Sequence, residues 1–467
     1  MSGFGNDQES PSVVAISPLV AAAELHPYRT IFQLAWPVLA EQVMIFGVDL
    51  TDTYLAGQHS KAATEAICIA GYLGWMASVM FSLVGVGATA LVARAWGAGQ
   101  REEAGRIAAR SLLLAPLIAI PVFVLLQVFA PTAAKFLYLE GESQRIAVEY
   151  LRWDAYGHLC SSGLIVAGAV LRGAGDMRTP MLVLAVMNVV NIIVSTGTVY
   201  GLGPFPELGV IGIVTGTVAA KFVGALIMLT VLAKGWSFVK VRSADFTFDG
   251  AIIHRLIRIG GPACLDGLIT VSGHLLFLRV ISLTKQFQPG ALAAHMVGVR
   301  VEALSYLPAT AWGIAAASLV GQSLGAQRPE LAVRIGHAAA KQSLIYSALM
   351  GVFYYFYAAD IFRFMHTDAD VLAAGVPALR LLAAYQIPNA ALIVYVLCLR
   401  GAGDTRFPLW FAIAGVICVR VPVAYYFGVV REGGLIGAWI GMGADLCLRA
   451  TLMSWRFSSA RWTKIKV

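Results

Sequence analysis

The sequence predicts an all-α, polytopic membrane protein with twelve transmembrane helices arranged as two parallel six-helix repeats. Three observations predict it. First, 58% of the residues are hydrophobic and 13% charged, against roughly a quarter charged in soluble domains. Second, apolar stretches long enough to cross roughly 30 Å of hydrocarbon as helices recur along the whole chain, whereas membrane-spanning strands would be far shorter. Third, the chain contains itself twice: Leu171-Arg172-Gly173-Ala174-Gly175-Asp176 returns as Leu399-Arg400-Gly401-Ala402-Gly403-Asp404.

The spans of the first half fall near residues 29–56, 65–93, 107–130, 147–171, 179–201 and 208–233. Those of the second fall near 252–284, 291–320, 335–358, 374–399, 407–429 and 433–455. The hexapeptide spacing also relates Leu91-Val92 to Leu319-Val320, Gly97-Ala98 to Gly325-Ala326 and Pro180 to Pro408. A slightly shorter spacing relates Pro37 to Pro262 and Gly209 to Gly434. Long-period duplication in so apolar a chain is the signature of a transporter built from two repeats around a central site. Because each repeat has an even number of spans, both halves start on the same side, related by an axis along the membrane normal. The chain divides into a cytoplasmic N-terminal tail (1–28), an N-lobe (29–233), a polar cytoplasmic linker (234–251), a C-lobe (252–455) and a basic cytoplasmic C-terminal tail (456–467). The first 28 residues lack a basic region before a cleavage site and read as a short disordered tail, not a signal peptide.

Lys and Arg crowd one side of the predicted spans, as in Arg94, Arg101, Arg106 and Arg110, then Lys240, Arg242, Arg255 and Arg258, then Arg461 and Lys464. The opposite side holds few, among them Lys135, Lys285 and Arg431. The excess marks the cytoplasmic side, so both termini face inward from a multi-pass cytoplasmic (inner) membrane protein. The net charge of +8 is therefore a matter of orientation and calls for no nucleic-acid partner. All six cysteines fall in predicted spans without a CxxC pair and read as buried thiols. No metal cluster, phosphate-binding glycine loop or nucleophile with its base is visible, so no cofactor is expected.

An ionisable side chain at membrane depth is costly and is a functional candidate by default. The first span carries Glu41, Asp49 and Asp52, with Asp49 and Asp52 on one face, and Pro37 lies about four turns before Asp52 on roughly the same face. Proline removes a backbone hydrogen bond, so the helix is predisposed to bend near Pro37. Two carboxylates so close in a low dielectric repel, which favours a proton on one of them and suits proton exchange. Lys221 lies in the middle of the sixth span, too deep to reach water, and is expected to pair with Asp52 or Asp49. Asp154 and His158 lie on the fourth span.

The second half carries Asp266, Arg279, Arg300, Glu302 and Arg380, read as a structural polar network in which Glu302 bridges to Arg279 or Arg380. Arg420 and Asp445 lie on the last two spans. Tyr306, Trp312 and Tyr385, with Tyr395, Trp410 and Phe411, are candidates for a cavity suited to flat cations. Within the duplicated turns, Arg172 is expected to tie to Asp176 and Arg400 to Asp404, with Pro180 and Pro408 starting the helices that follow.

These residues resemble the multidrug and toxic compound extrusion (MATE) family of antiporters. The matching elements are Val48 to Gly57 around Asp52-Thr53, Leu91 to Gly99, both Leu-Arg-Gly-Ala-Gly-Asp turns, His295 to Pro308, and Leu319-Val320-Gly321-Gln322 through Gly325-Ala326. The resemblance implies a V-shaped pair of six-helix lobes, alternating access, and export of cationic or amphipathic drugs in exchange for protons or sodium. It implies that Asp52 couples transport in the N-lobe, that Pro37 is the bending proline, and that Asn191 and Thr217 are polar partners on the fifth and sixth helices. The chain departs from the pattern at Ser195, where some relatives carry an aspartate, and at Thr270 and Asn389, where sodium-coupled relatives carry acids. Together with Lys221 these departures favour protons over sodium as the coupling ion. The expected partners are small-molecule drugs or organic cations and membrane lipid, and the expected state is a monomer. Two competing readings stay open: a flippase for lipid-linked oligosaccharide, which the C-lobe arginines would suit, and an integral-membrane enzyme.

Overall fold

The computed structural model describes residues 17–136, 139–465 and 467, without the side chains at 61, 65, 68, 69 and 136. Among the described residues all regular structure is helical. The first half comprises α1 (Pro18–Leu25), α2 (Pro27–His59), α3 (Lys61–Gly97), α4 (Arg101–Phe136), α5 (Gly141–Gly173), α6 (Arg178–Tyr200) and α7 (Val210–Lys234). The second comprises α8 (Gly250–Leu283), α9 (Ala291–Gly325), α10 (Pro329–Met365), α11 (Ala369–Ala402), α12 (Arg406–Val430) and α13 (Gly434–Ser458).

Eleven of these helices are long and apolar enough to cross a membrane. Besides the eight-residue α1, the exception is α5, whose middle carries Asp154, His158, Ser161 and Ser162, all buried. Hydropathy alone therefore undercounts a helix whose polar residues face protein rather than lipid. On α4, by contrast, Leu117, Ile120, Val124, Leu125 and Val128 are exposed, an apolar surface that only hydrocarbon satisfies. The helices run longer than the apolar stretches, because caps carry them past the hydrocarbon. Ser60 accepts from the Ala63 N–H at 3.0 Å, Asp249 from Ala251 at 3.0 Å, and Asp368 from Asp370 at 2.8 Å. On α12, Pro422 cannot donate a backbone N–H, and π-helical turns flank it at Ala414–Arg420 and Tyr426–Val430. Helix α2 passes through the buried Pro37 unbroken.

The expected disordered tail needs correction. Its last residues form α1, and Glu24 pairs with Arg328 at 2.9 Å while its carbonyl accepts from Arg334 at 2.9 Å. Residues 1–16 lie outside those described, as does the side chain of Cys68. The cysteine expectation also fails in part: Cys264 and Cys398 are buried, but Cys418 is exposed, on a helix face open to lipid.

The two halves meet where α2 and α3 pack against α8 and α9. At the end bearing the basic loops the approach is closest. A Cβ on Gly97 would strike the backbone of Gln322, and one on Gly325 would strike that of Arg94. The four residues are repeat mates, and their polar contacts share the same two-fold logic. Arg94 Nη2 donates to the Ala402 carbonyl at 2.8 Å, and Gln322 Nε2 donates to the Gly173 carbonyl at 3.0 Å. Each half thus grips the duplicated turn of the other.

Inside the turns the expected ties do not form. Arg172 Nη1 pairs with Glu41 at 3.1 Å and Arg400 Nη2 with Asp266 at 2.6 Å. Asp176 instead accepts from Thr179 and Ser237, and Asp404 from Arg456. Each turn's arginine reaches inward to an acid on the first long helix of its own half, while the buried Asp176 and Asp404 are taken up by other donors. Glu41 and Asp266 are each four residues beyond the helix proline, so these pairs are repeat mates too.

Arg94→Ala combined with Gln322→Ala removes both cross-half grips. At about 1.5–3 kcal/mol for a charged donor and about 1 kcal/mol for a neutral one, the closed basic end should lose at least tenfold in population. Spin labels at the exposed Gln100 and Glu330 should report a longer distance component in the double variant. An unchanged distance distribution would show that the glycine packing alone holds this end shut.

Candidate functional site

A cavity of about 980 Å³ opens between the halves, lined by α2, α3, α5, α6 and α7 on one wall and by α8, α9, α11, α12 and α13 on the other. Its size suits a drug-sized molecule.

On the first wall Asp52 is buried at 9% exposure, and its Oδ2 accepts a hydrogen bond of 3.3 Å from Thr217 Oγ1. Thr217 in turn accepts from Asn191 Nδ2 at 3.1 Å. The structure therefore brings Asp52, Asn191 and Thr217 together, from three different helices. Oδ1 of Asp52 and Oδ1 of Asn191 are both buried without a hydrogen-bond partner. Asp49, one turn away, is exposed to the cavity. Ser195 is buried nearby but turned away, its hydroxyl donating to the Ile213 carbonyl at 3.1 Å.

Lys221 does not pair with Asp52 or Asp49 as the sequence suggested. Its Nζ donates to Asp154 Oδ1 at 2.7 Å, and His158 Nε2 lies 3.1 Å from the other oxygen. The reason is steric: Gly157 on α5 leaves room for the lysine stem, which leads the ammonium to α5. Its charge still reaches both α2 acids. Lys221→Ala leaves Asp154 buried beside a histidine and should destabilise the fold by about 3–5 kcal/mol, while Asp154→Asn with Lys221→Met should restore most of it. Thermal unfolding of the purified variants distinguishes these outcomes, and equal midpoints for parent and Lys221→Ala would refute the pair's structural role.

On the second wall Asn389 Nδ2 donates to Glu302 at 3.2 Å. The predicted network around Glu302 is not formed. Arg279, Arg300 and Arg380 are exposed, with Arg380 over the Tyr355 ring. Asp266 is committed to Arg400, and both line the cavity. The strongest cluster joins Arg420 and Arg449 to the fully buried Asp445, with Nε–O distances of 2.9 Å and 2.6 Å. Arg449 follows Asp445 by four residues, an i,i+4 pair legible in the sequence, yet by position it reads as the end of a span.

Of the aromatic candidates only Tyr306 lines the cavity, together with Asn389, whereas Trp312, Tyr385, Tyr395, Trp410 and Phe411 are not in its lining. Trp312 donates to Gln342 at 2.9 Å, and the Tyr385 ring packs where Gly443 lacks a side chain. The rings that do face the cavity are Tyr72, Trp75, Tyr150 and Tyr306, with Trp75 edge-on to His274 of the other wall at 6.0 Å. No pattern in the sequence singles these out: Tyr72, Trp75 and Tyr306 lie on largely apolar helices, and Tyr150 lies on α5 among residues that read as its polar middle.

A family model described as MatE matches residues 37–196 and 262–426, one block in each half. The chain belongs to the MatE family. Its members and the solved structures it resembles are transporters, not enzymes. A probable multidrug resistance protein NorM from Thermotoga maritima is 30% identical over 438 residues, 93% of each chain. The uncharacterized transporter YisQ of Bacillus subtilis is 23% identical over 436 residues, 93% of this chain and 94% of YisQ. Among solved structures, an outward-facing MATE transporter of the MOP superfamily superposes with a TM-score of 0.87 at 21% identity, covering 96% of this chain and 99% of that one. A MOP-superfamily transporter from Pyrococcus furiosus, described as having a binding pocket of reverse polarity, gives 0.88 at 21% identity and the same coverage. These likenesses establish the MATE fold for this MatE protein.

Proposed function

We propose that this MatE protein exports cationic or amphipathic small molecules across the cytoplasmic membrane in exchange for protons, by alternating access, with both termini inside and one chain as the working unit. The carrying observation is Asp52: a carboxylate buried at the cavity wall, held by one hydroxyl, with an unpartnered oxygen and no bonded cation. Such a group exchanges a proton for a substrate cation without a competing counter-ion. The commitment of Lys221 to Asp154 supports this, since the lysine leaves Asp52 free. The oxygens around Asp52 favour a proton over sodium: Ser195 is spent on a backbone carbonyl, and Thr217 and Asn191 leave too few ligands for a desolvated cation. The NorM relatives' description as multidrug resistance proteins fits the substrate class.

The flippase reading loses its support, because Arg279, Arg300 and Arg380 are exposed and do not line the cavity, while Arg400, Arg420 and Arg449 are all bonded to aspartates. Release of a fluorescent cationic dye from everted vesicles, driven by a pH gradient without sodium, tests the proposal. Movement only with a sodium gradient would overturn proton coupling, and no movement with either would overturn the substrate class.

A further inference from the structure

We infer that Glu302 is a second proton-exchanging carboxylate, on the wall opposite Asp52, and that this transporter moves two protons per monovalent cation. The inference rests on the proton-coupled reading above and deepens it.

The argument begins with charge. Arg420, Arg449 and Asp445 together carry one net positive charge, buried at 4%, 9% and 0% exposure. An uncompensated charge at this depth is costly, so a counter-charge is required nearby. The other acids of the second half are spent or lie at the surface: Asp266 pairs with Arg400 and Asp404 with Arg456, while Glu330, Asp360, Asp368, Asp370 and Glu432 are exposed. Glu302 lines the cavity, has a neutral amide as its side-chain partner at 3.2 Å, and lies within electrostatic reach of Arg420. Among the described residues it is bonded to no cation.

The surroundings of Glu302 leave the proton free to come and go. On α11 it faces Asn389. On α12 the charge of Arg420 reaches it without bonding to it, and also reaches His274 of α8. On α10 Tyr354 lies within the same electrostatic reach, its hydroxyl spent on the Val301 carbonyl at 2.7 Å. Tyr306 flanks it on α9, and Asp49 lies across the cavity, where the exposed Arg300 of α9 acts on it. With Glu302 ionised the second wall is neutral; with it protonated the wall carries the surplus positive charge of the arginine cluster. A proton arriving from outside therefore turns that wall repulsive to a bound cation and promotes its release. Asp52 and Glu302 are not repeat mates: the positions matching them in the other half are Phe277 and Gly74. The duplicated scaffold has thus kept its packing while its acids diverge: the first wall carries Asp52 with Asp49 one turn away, and the second carries Glu302 at an unrelated position.

Two measurements test this. In reconstituted vesicles with voltage held at zero by valinomycin and equal potassium, the parent should concentrate tetraphenylphosphonium about 100-fold for a gradient of about one pH unit, and Glu302→Gln about 10-fold, since each proton adds one factor of ten. A ratio unchanged in Glu302→Gln would overturn the inference. A parent that moves no cation with protons would instead overturn the reading it rests on. Independently of any substrate, pH-induced infrared difference spectra should show a protonated-carboxyl band that Glu302→Gln removes and Glu302→Asp retains, with Glu302→Asp also reporting that the site folds. If Glu302→Gln left every carboxyl band of the parent in place, Glu302 would not titrate and the inference would fail.

Discussion

Asp52→Asn is expected to abolish proton-driven export while leaving the fold intact. The amide keeps the size of the carboxylate and its contact with Thr217, so purified variant and parent should unfold at the same temperature. It removes two functions at once, the charge that seats a cation and the site that takes a proton. A ligand shifts a conformational equilibrium only through its differential affinity for the two states, and coupling between two ligands is reciprocal. A site that binds neither proton nor cation couples nothing. In zero-voltage vesicles the accumulation ratio should fall to about 1, whatever pH gradient is imposed. Residual accumulation clearly above 1, toward about tenfold per pH unit, would move the coupling role to Asp49, one turn away and open to the cavity. Glu302→Gln differs in kind: it weakens the drive and keeps the seat.

The fold was legible because its information is compositional. Apolar stretches of membrane length and a hexapeptide repeated at constant spacing survive without any knowledge of contacts. Helix ends were less legible, since α4 and α10 run on through polar residues such as Arg101 and Glu330 that stay helical outside hydrocarbon. The Asp52, Asn191 and Thr217 cluster could be carried over from the resemblance position by position, and the three meet in space. Pairings could not. Arg172 passes over its neighbour in sequence, Asp176, to reach Glu41, and Lys221 passes over Asp52 to reach Asp154. In each case the partner is set by which helix lies alongside, and that depends on helix rotation, which an apolar helix does not record in its residue pattern. The same ambiguity hid Trp75 and Tyr150 and promoted Trp312 and Tyr385. Repeat arithmetic was the stronger tool: Arg94 with Gln322, and Glu41 with Asp266, sit at matching positions of the two halves, and both pairs do matching work.

Asp445→Asn should cause the largest loss of stability in the second half. Asp445 is fully buried and accepts from both Arg420 and Arg449. The asparagine leaves two guanidinium groups within the membrane with one distant carboxylate between them, and removing one partner of a buried ion pair costs about 3–5 kcal/mol. The unfolding midpoint of the purified variant should fall accordingly, and an unchanged midpoint would mean that the cluster is hydrated in the membrane. Adding Arg449→Met to Asp445→Asn removes one of the stranded charges. Arg420 then remains with Glu302 as its counter-charge, and most of the lost stability should return. That return depends on Glu302 being ionised, so it should be present at neutral pH and disappear when Glu302→Gln is added as a third change. The triple variant therefore weighs the charge balance of this wall by stability alone, with no substrate and no transport in the measurement.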